Sequence, residues 1–280
     1  MYAADPQART YADVDIIVAP KQLSRARNVL LELGFARYGV DMLAVDEPHA
    51  RHFQRAADGA AVDLHRSLHA TEHLASERVW RAISTDTETI VVADVEVEIP
   101  SVAVRALHLV LHVSPADGPG SKPWLDLERG LQLIDKDVWQ AAARVAADLE
   151  IAGELAHRLA RLPQARTLLA QLDLPHGETS LHASLRIAHS GGSVPGLMPL
   201  LRLTALPDRR SQLAYVRDKL FPPARFLLAH DKPARHRGWA LSAARIAWIT
   251  TRLAWLPGAL RAWQRTSRRA TRRSQRRGDG

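Results

Sequence analysis

The chain has 280 residues, enough to bury a substantial core, and no cysteine, which excludes disulfides, thiol nucleophiles and thiolate metal sites. Its net charge of +8 is unevenly spread: residues 265–280 hold seven arginines and one aspartate, net +6, which leaves +2 for residues 1–264. A body so near neutral argues against specific nucleic-acid binding. The opening Met1-Tyr2-Ala3-Ala4-Asp5-Pro6 has neither the basic end nor the apolar core of a signal peptide, so a cytoplasmic location is expected.

In chain order, the first element is Asp13-Val14-Asp15-Ile16-Ile17-Val18. Strand residues alternate between faces, so Asp13 and Asp15 share one face while Val14 and Ile16 take the other. The apolar run through Val18 predicts a buried central strand with its charges at one end. Two adjacent carboxylates repel each other unless a divalent cation sits between them, and Mg²⁺ prefers such oxygen ligands. Leu23, Ala26, Val29, Leu30 and Leu33 recur at helical spacing, and Gly34 stops the helix. Residues 36–58 read as an irregular hairpin or lid, with His49 and His52 facing solvent. A return strand at 59–65 carries Asp63 inside an apolar run, where an unpaired carboxylate is costly. Beside the first strand, Asp63 would complete a three-carboxylate cluster. His65 shares its face and could reach substrate or metal.

A second acidic alternation, Asp94, Glu96 and Glu98, has Val95, Val97 and Ile99 opposite and ends at Pro100. This predicts an amphipathic edge strand with a solvated acidic face, without a metal role. From Val102 the pattern is helical. His108 and His112 lie one turn apart but lack the His-Glu-x-x-His motif, so they read as a polar helix face turned towards the core. A loop at 115–123 leads to helices at about 124–135, 136–149, 151–162 and 164–172. Residues 190–196 read as a linker. Trp239, Trp248, Trp255 and Trp263 mark an apolar stretch that Arg245 and Arg252 interrupt and Pro257-Gly258 breaks. It is too charged to span a membrane, which leaves an interfacial or packing helix. The tail's arginine pairs recur every four residues, so a helix would gather them on one side, suited to anionic lipid or nucleic acid. A disordered tail is the alternative.

Arg9-x-Tyr11-x-Asp13-Val14-Asp15-Ile16-Ile17-Val18, then Leu33-Gly34-Phe35, then Val62-Asp63-Leu64-His65, resembles the bacterial family of uncharacterised nucleotidyltransferases, in the superfamily of DNA polymerase β. Arg66 stands where that family often has tryptophan, while Leu107–His112 and Trp124–Leu127 look like its helical region. The resemblance implies an α+β fold. A mixed-sheet nucleotidyltransferase core is expected at 1–100, then a helical domain at 101–230, amphipathic aromatic helices at 231–264 and a basic, disordered tail at 265–280.

The implied reaction moves a nucleoside monophosphate from an NTP, ATP by expectation, to an unidentified acceptor. Asp13, Asp15 and Asp63 would be catalytic and bind two Mg²⁺, with Asp63 near the acceptor as candidate base. Arg9 and His65 would bind the nucleotide, although Arg9 could equally pair with an acid of the cluster. The superfamily also carries a strand and a phosphate-binding turn ahead of the Asp pair, for which the twelve residues before Asp13 leave no room. The chain therefore reads as an N-terminally incomplete core, active if completed. The alternative is an inactive homologue acting as a binding or scaffold protein. Weak contact with anionic membrane through the C-terminus is expected.

Overall fold

A computed structural model describes residues 13–38, 49–71, 74–114, 117–172, 174, 194–206, 208–224, 226–227 and 238–278. The chain divides into two compact units, one of residues 1–37 and 49–183, the other of residues 38–48 and 184–280. The first unit has a mixed α+β architecture.

Its sheet is built from β1 (Val14–Ile17), β2 (Ala36–Arg37), β3 (Ala50–Gln54) and β4 (Ala61–His65), in the order β1-β4-β3-β2. The β1–β4 pair is parallel and the others antiparallel. Parallel pairing needs a crossover, and α1 (Leu23–Glu32) provides part of it. The helix ends in a Schellman turn: Gly34 adopts φ +81°, its amide donates to Leu31, and the Phe35 amide donates to Leu30 at 2.9 Å. That turn sets Phe35 beside Leu30, and both pack with Phe53, Val62 and Leu64 under one face of the sheet.

One expectation changes here. Among the described strands β1 is an edge strand, not a central one, and Val14 is 60% and Ile16 37% exposed. The cause is that α1 covers β3 and β4, while β1 has only β4 as a described neighbour. Of the hairpin or lid expected at 36–58, the described residues show the hairpin: β2 pairs antiparallel with β3, and a turn closed by Arg55 and Asp58 at 2.7 Å follows. Residues 39–48 lie outside the described residues.

After α2 (Ser76–Ser84) comes a hairpin, β5 (Thr87–Val92) and β6 (Val95–Pro100). Ala93 and Asp94 join the strands with φ of 49° and 63°, the positive values that a two-residue hairpin turn demands. Five helices follow: α3 (Val102–His112), α4 (Lys122–Leu133), α5 (Lys136–Asp148), α6 (Ala152–Leu159) and α7 (Arg166–Gln171). Helix α3 is their hub. Leu107, Val110 and Leu111 are fully buried with Leu127 of α4, Trp139 and Ala143 of α5, and Leu155 of α6. Arg158 crosses this core to donate to the carbonyls of Leu111 and Val113, satisfying backbone acceptors at the end of α3. Ile17 packs against the same core, which ties the end of β1 to the helices.

The second unit contains α8 (Leu197–Ala205), α9 (Arg209–Leu220) and α10 (Gly238–Gly278). Residues 190–193 of the expected linker are outside the described residues. Gly196 opens α8 at φ +83°, where a Cβ would sit 3.3 Å from Cβ of Trp255 and 3.4 Å from Cβ of Ala259. Trp248 Nε1 donates to the Lys219 carbonyl at 2.8 Å and its ring meets Phe226 edge-on.

Pro257 does not break α10, contrary to expectation. Proline removes one helical donor, but Trp255 and Ala259 contact Gly196 on both sides of it, so packing holds the segment. The helix also continues through residues 265–278, where a disordered tail was one of the two readings. No described helix is long and apolar enough to cross a membrane.

Candidate active site

The parallel β1–β4 register sets Asp15 opposite Asp63, and the antiparallel β3–β4 register sets His52 opposite Asp63. Because side chains alternate, these three groups form a row across one face of the sheet. His65, two residues beyond Asp63, begins the next row on that face. Val62 and Leu64 point the other way, into the α1 core.

Asp15, Asp63 and His65 each offer a ligand atom, and these atoms all lie within 4.8 Å of one another. His65 Nε2 donates to Asp15 Oδ1 at 2.8 Å, and His52 Nδ1 to Asp63 Oδ1 at 2.5 Å. Each carboxylate is thus held by one imidazole. The Asp63 side chain is 13% exposed and that of Asp15 48%. The His65 hydrogen bond is the main cause holding the Asp15 carboxyl below its usual range; burial opposes it.

These groups line a cavity of about 650 Å³. Asp13 lies on its wall, two residues before Asp15, but outside the three-residue ligand group. His49 and His69 line the side near His65, with His49 ring centroids 5.5 Å from His65 and 5.0 Å from His69. Helix α3 contributes His108 and His112, and the start of α4 contributes Lys122 and Asp126. Burial, then the adjacent His112 ring, pushes the His108 pKa down to about 4, with Asp15 acting weakly the other way. The cavity fits a nucleotide-sized ligand, since small-molecule clefts span about 300–1,000 Å³.

The donor set of two carboxylates and an imidazole on rigid strands suits a divalent cation. Arg9 lies outside the described residues. His52 and His49 both line the cavity; His52, as the solvated reading expects, is 61% exposed there, whereas His49 is half-buried. Only the period-two spacing of His52 and Gln54 hinted at a strand there, and one phenylalanine was too little apolar content to identify it. Lys122 and Asp126 carried no local signal beyond their place in the helical region.

Fold and site together define a class: α+β proteins whose strand-borne carboxylates converge at a position suited to a cation. The chain belongs to the uncharacterised nucleotidyltransferase family, whose model matches residues 2–165. No curated protein and no solved structure matches it. Membership implies a nucleotide substrate and a divalent metal.

Proposed function

We propose that the chain transfers a nucleoside monophosphate from an NTP, ATP by preference, to an acceptor hydroxyl or phosphate. The observation that carries this reading is the convergence of Asp15, Asp63 and His65 within 4.8 Å on the motif strands of a nucleotidyltransferase. The acceptor oxygen attacks the α-phosphorus, the bond to the bridging oxygen breaks, and pyrophosphate leaves. Divalent cations, when bound, offset triphosphate charge and acidify the acceptor. Asp13 and Asp15 would serve the position that takes Mg²⁺ with the nucleotide, and Asp15, Asp63 and His65 the one nearer the acceptor. Asp63 would receive the acceptor proton, and its bond to His52 fixes its direction. Lys122 on the facing wall supplies an ammonium for the phosphates.

The test is pyrophosphate release and label transfer from each α-labelled NTP, with circular dichroism as the fold control. Asp13→Ala, Asp15→Asn and Asp63→Asn should each abolish transfer and leave the spectrum unchanged. Full activity in Asp15→Asn would remove the assignment. NTP binding without transfer in the natural chain would favour a binding or scaffold role instead.

We also infer weak contact between α10 and anionic membrane surfaces. Trp239, Ile246, Leu253 and Leu260 recur every seven residues, hence on one side of the helix, and stay 71%, 64%, 52% and 42% exposed. The arginine-rich segment follows directly.

A further inference from the structure

Resting on the nucleotidyltransferase reading, we propose that the Asp15–Asp63–His65 position selects a first-row transition-metal dication, manganese in particular, over magnesium, with His65 as the selecting ligand. Magnesium is small and strongly hydrated, demands near-ideal octahedral oxygen coordination and keeps several of its waters. A nitrogen donor built into the ligand group works against it. Imidazole suits the later first-row cations, whereas carboxylate, water and phosphate oxygens suit magnesium and manganese alike. Manganese is the cation that accepts both parts of this environment: the imidazole of His65 and the hard oxygens of two aspartates and a triphosphate.

The fold fixes His65 as a ligand rather than a passing neighbour. It is the last residue of β4, paired with Ile17 of β1 and Ala50 of β3, and its side chain is only 10% exposed. Its Nε2 lies 2.8 Å from Asp15 Oδ1, and a cation between them would take the place of the proton that Nε2 donates there, freeing the nitrogen lone pair as a ligand. His49 stacks at a tilt against the same ring and limits its rotation. His52 orients Asp63 as an outer-shell partner, the arrangement that commonly tunes a metal ligand. The selection therefore comes from four side chains on three adjacent strands and the residue preceding β3.

The experiment uses the full chain, stripped of metal, without nucleotide. Mn²⁺ binding is followed by electron paramagnetic resonance, with Mg²⁺ as competitor, and pulsed spectra are recorded for nitrogen coupling. Manganese should win by more than tenfold, with a directly bound imidazole nitrogen that changes from a ¹⁴N to a ¹⁵N pattern when histidine is isotopically labelled. His65→Gln should abolish the coupling and cut the preference about tenfold, a ratio typical of losing a tuned contact. The isotope substitution needs no variant, so the result stands even if His65→Gln does not fold. Absence of nitrogen coupling in the natural chain, or an unchanged preference in a folded His65→Gln, overturns the proposal. Nucleotidyl transfer is assayed on the same samples. Transfer without nitrogen coupling refutes the cation assignment alone, and coupling without transfer supports that assignment while counting against the reaction.

Discussion

Burial and the adjacent His112 ring keep His108 neutral down to about pH 4, against an ordinary value of 6.5. Between those two values the unfolded chain binds the proton and the folded chain does not. Stability is therefore fully present above about 6.5 and falls as the pH drops towards 4. The slope from one such group is at most about 1.4 kcal/mol per pH unit. Replacing His108 with glutamine, which cannot titrate, should flatten this part of the curve, as measured by thermal melts from neutral to mildly acidic pH. Parallel curves for the two proteins would show that His108 is not the group responsible. At this scale the sequence was most informative where periodicity alone decides direction. Asp15 and Asp63 had to share faces with Asp13 and His65. His52 was not legible, because its role depends on pairing with Asp63 across two strands, eleven residues away.

Helices were legible as elements because long apolar periodicities resist disruption. The reading of residues 136–149 agrees with α5, and that of 23–33 with α1, to within a residue at each end. What failed were judgements about neighbours. An apolar run predicts burial, but whether β1 lies centrally depends on where α1 packs. A proline predicts a break, but Gly196 permits contacts that hold α10 together across Pro257. The exposed stripe of this helix carries its own prediction. Each arginine near an anionic surface contributes about 1 kcal/mol, and salt weakens it within a Debye length. The full chain should therefore co-sediment with phosphatidylserine vesicles at low salt and release at high salt. Replacing the seven arginines of 265–277 by glutamine should reduce binding strongly. Equal sedimentation of both forms would remove the membrane assignment.

For the molecule as a whole, every cavity-lining residue lies in the unit of residues 1–37 and 49–183. A fragment ending at residue 183 contains that unit and its helical core, and should fold cooperatively and keep the cation affinity of the full chain. Calorimetric melting and cation titration of the fragment check this; a tenfold loss of affinity would mean that the C-terminal unit contributes to the site. The uneven charge in the sequence pointed to a C-terminal part with a separate purpose. The same composition could not say where the compact units divide, because their boundary is set by three-dimensional contacts rather than by a shift in residue type.

The β5–β6 ribbon bears on how the protein behaves when concentrated. Among the described strands its two pair only with each other, and Ile90, Val92, Val95 and Val97 form a face that is 39–60% exposed. Ribbons of this kind add strands from neighbouring molecules unless something opposes it. On the opposite face Glu96 and Glu98 stand beside the partners Val91 and Thr89, and bring like charges together whenever two ribbons approach. Crowded molecules would thus be kept apart by a pair of glutamates with no part in the chemistry. Glu96→Thr with Glu98→Thr should lower the concentration at which light scattering rises, while the cation affinity of the full chain stays the same. The acidic alternation, read in the sequence as the solvated face of an edge strand, then acts as a colloidal safeguard for the chain.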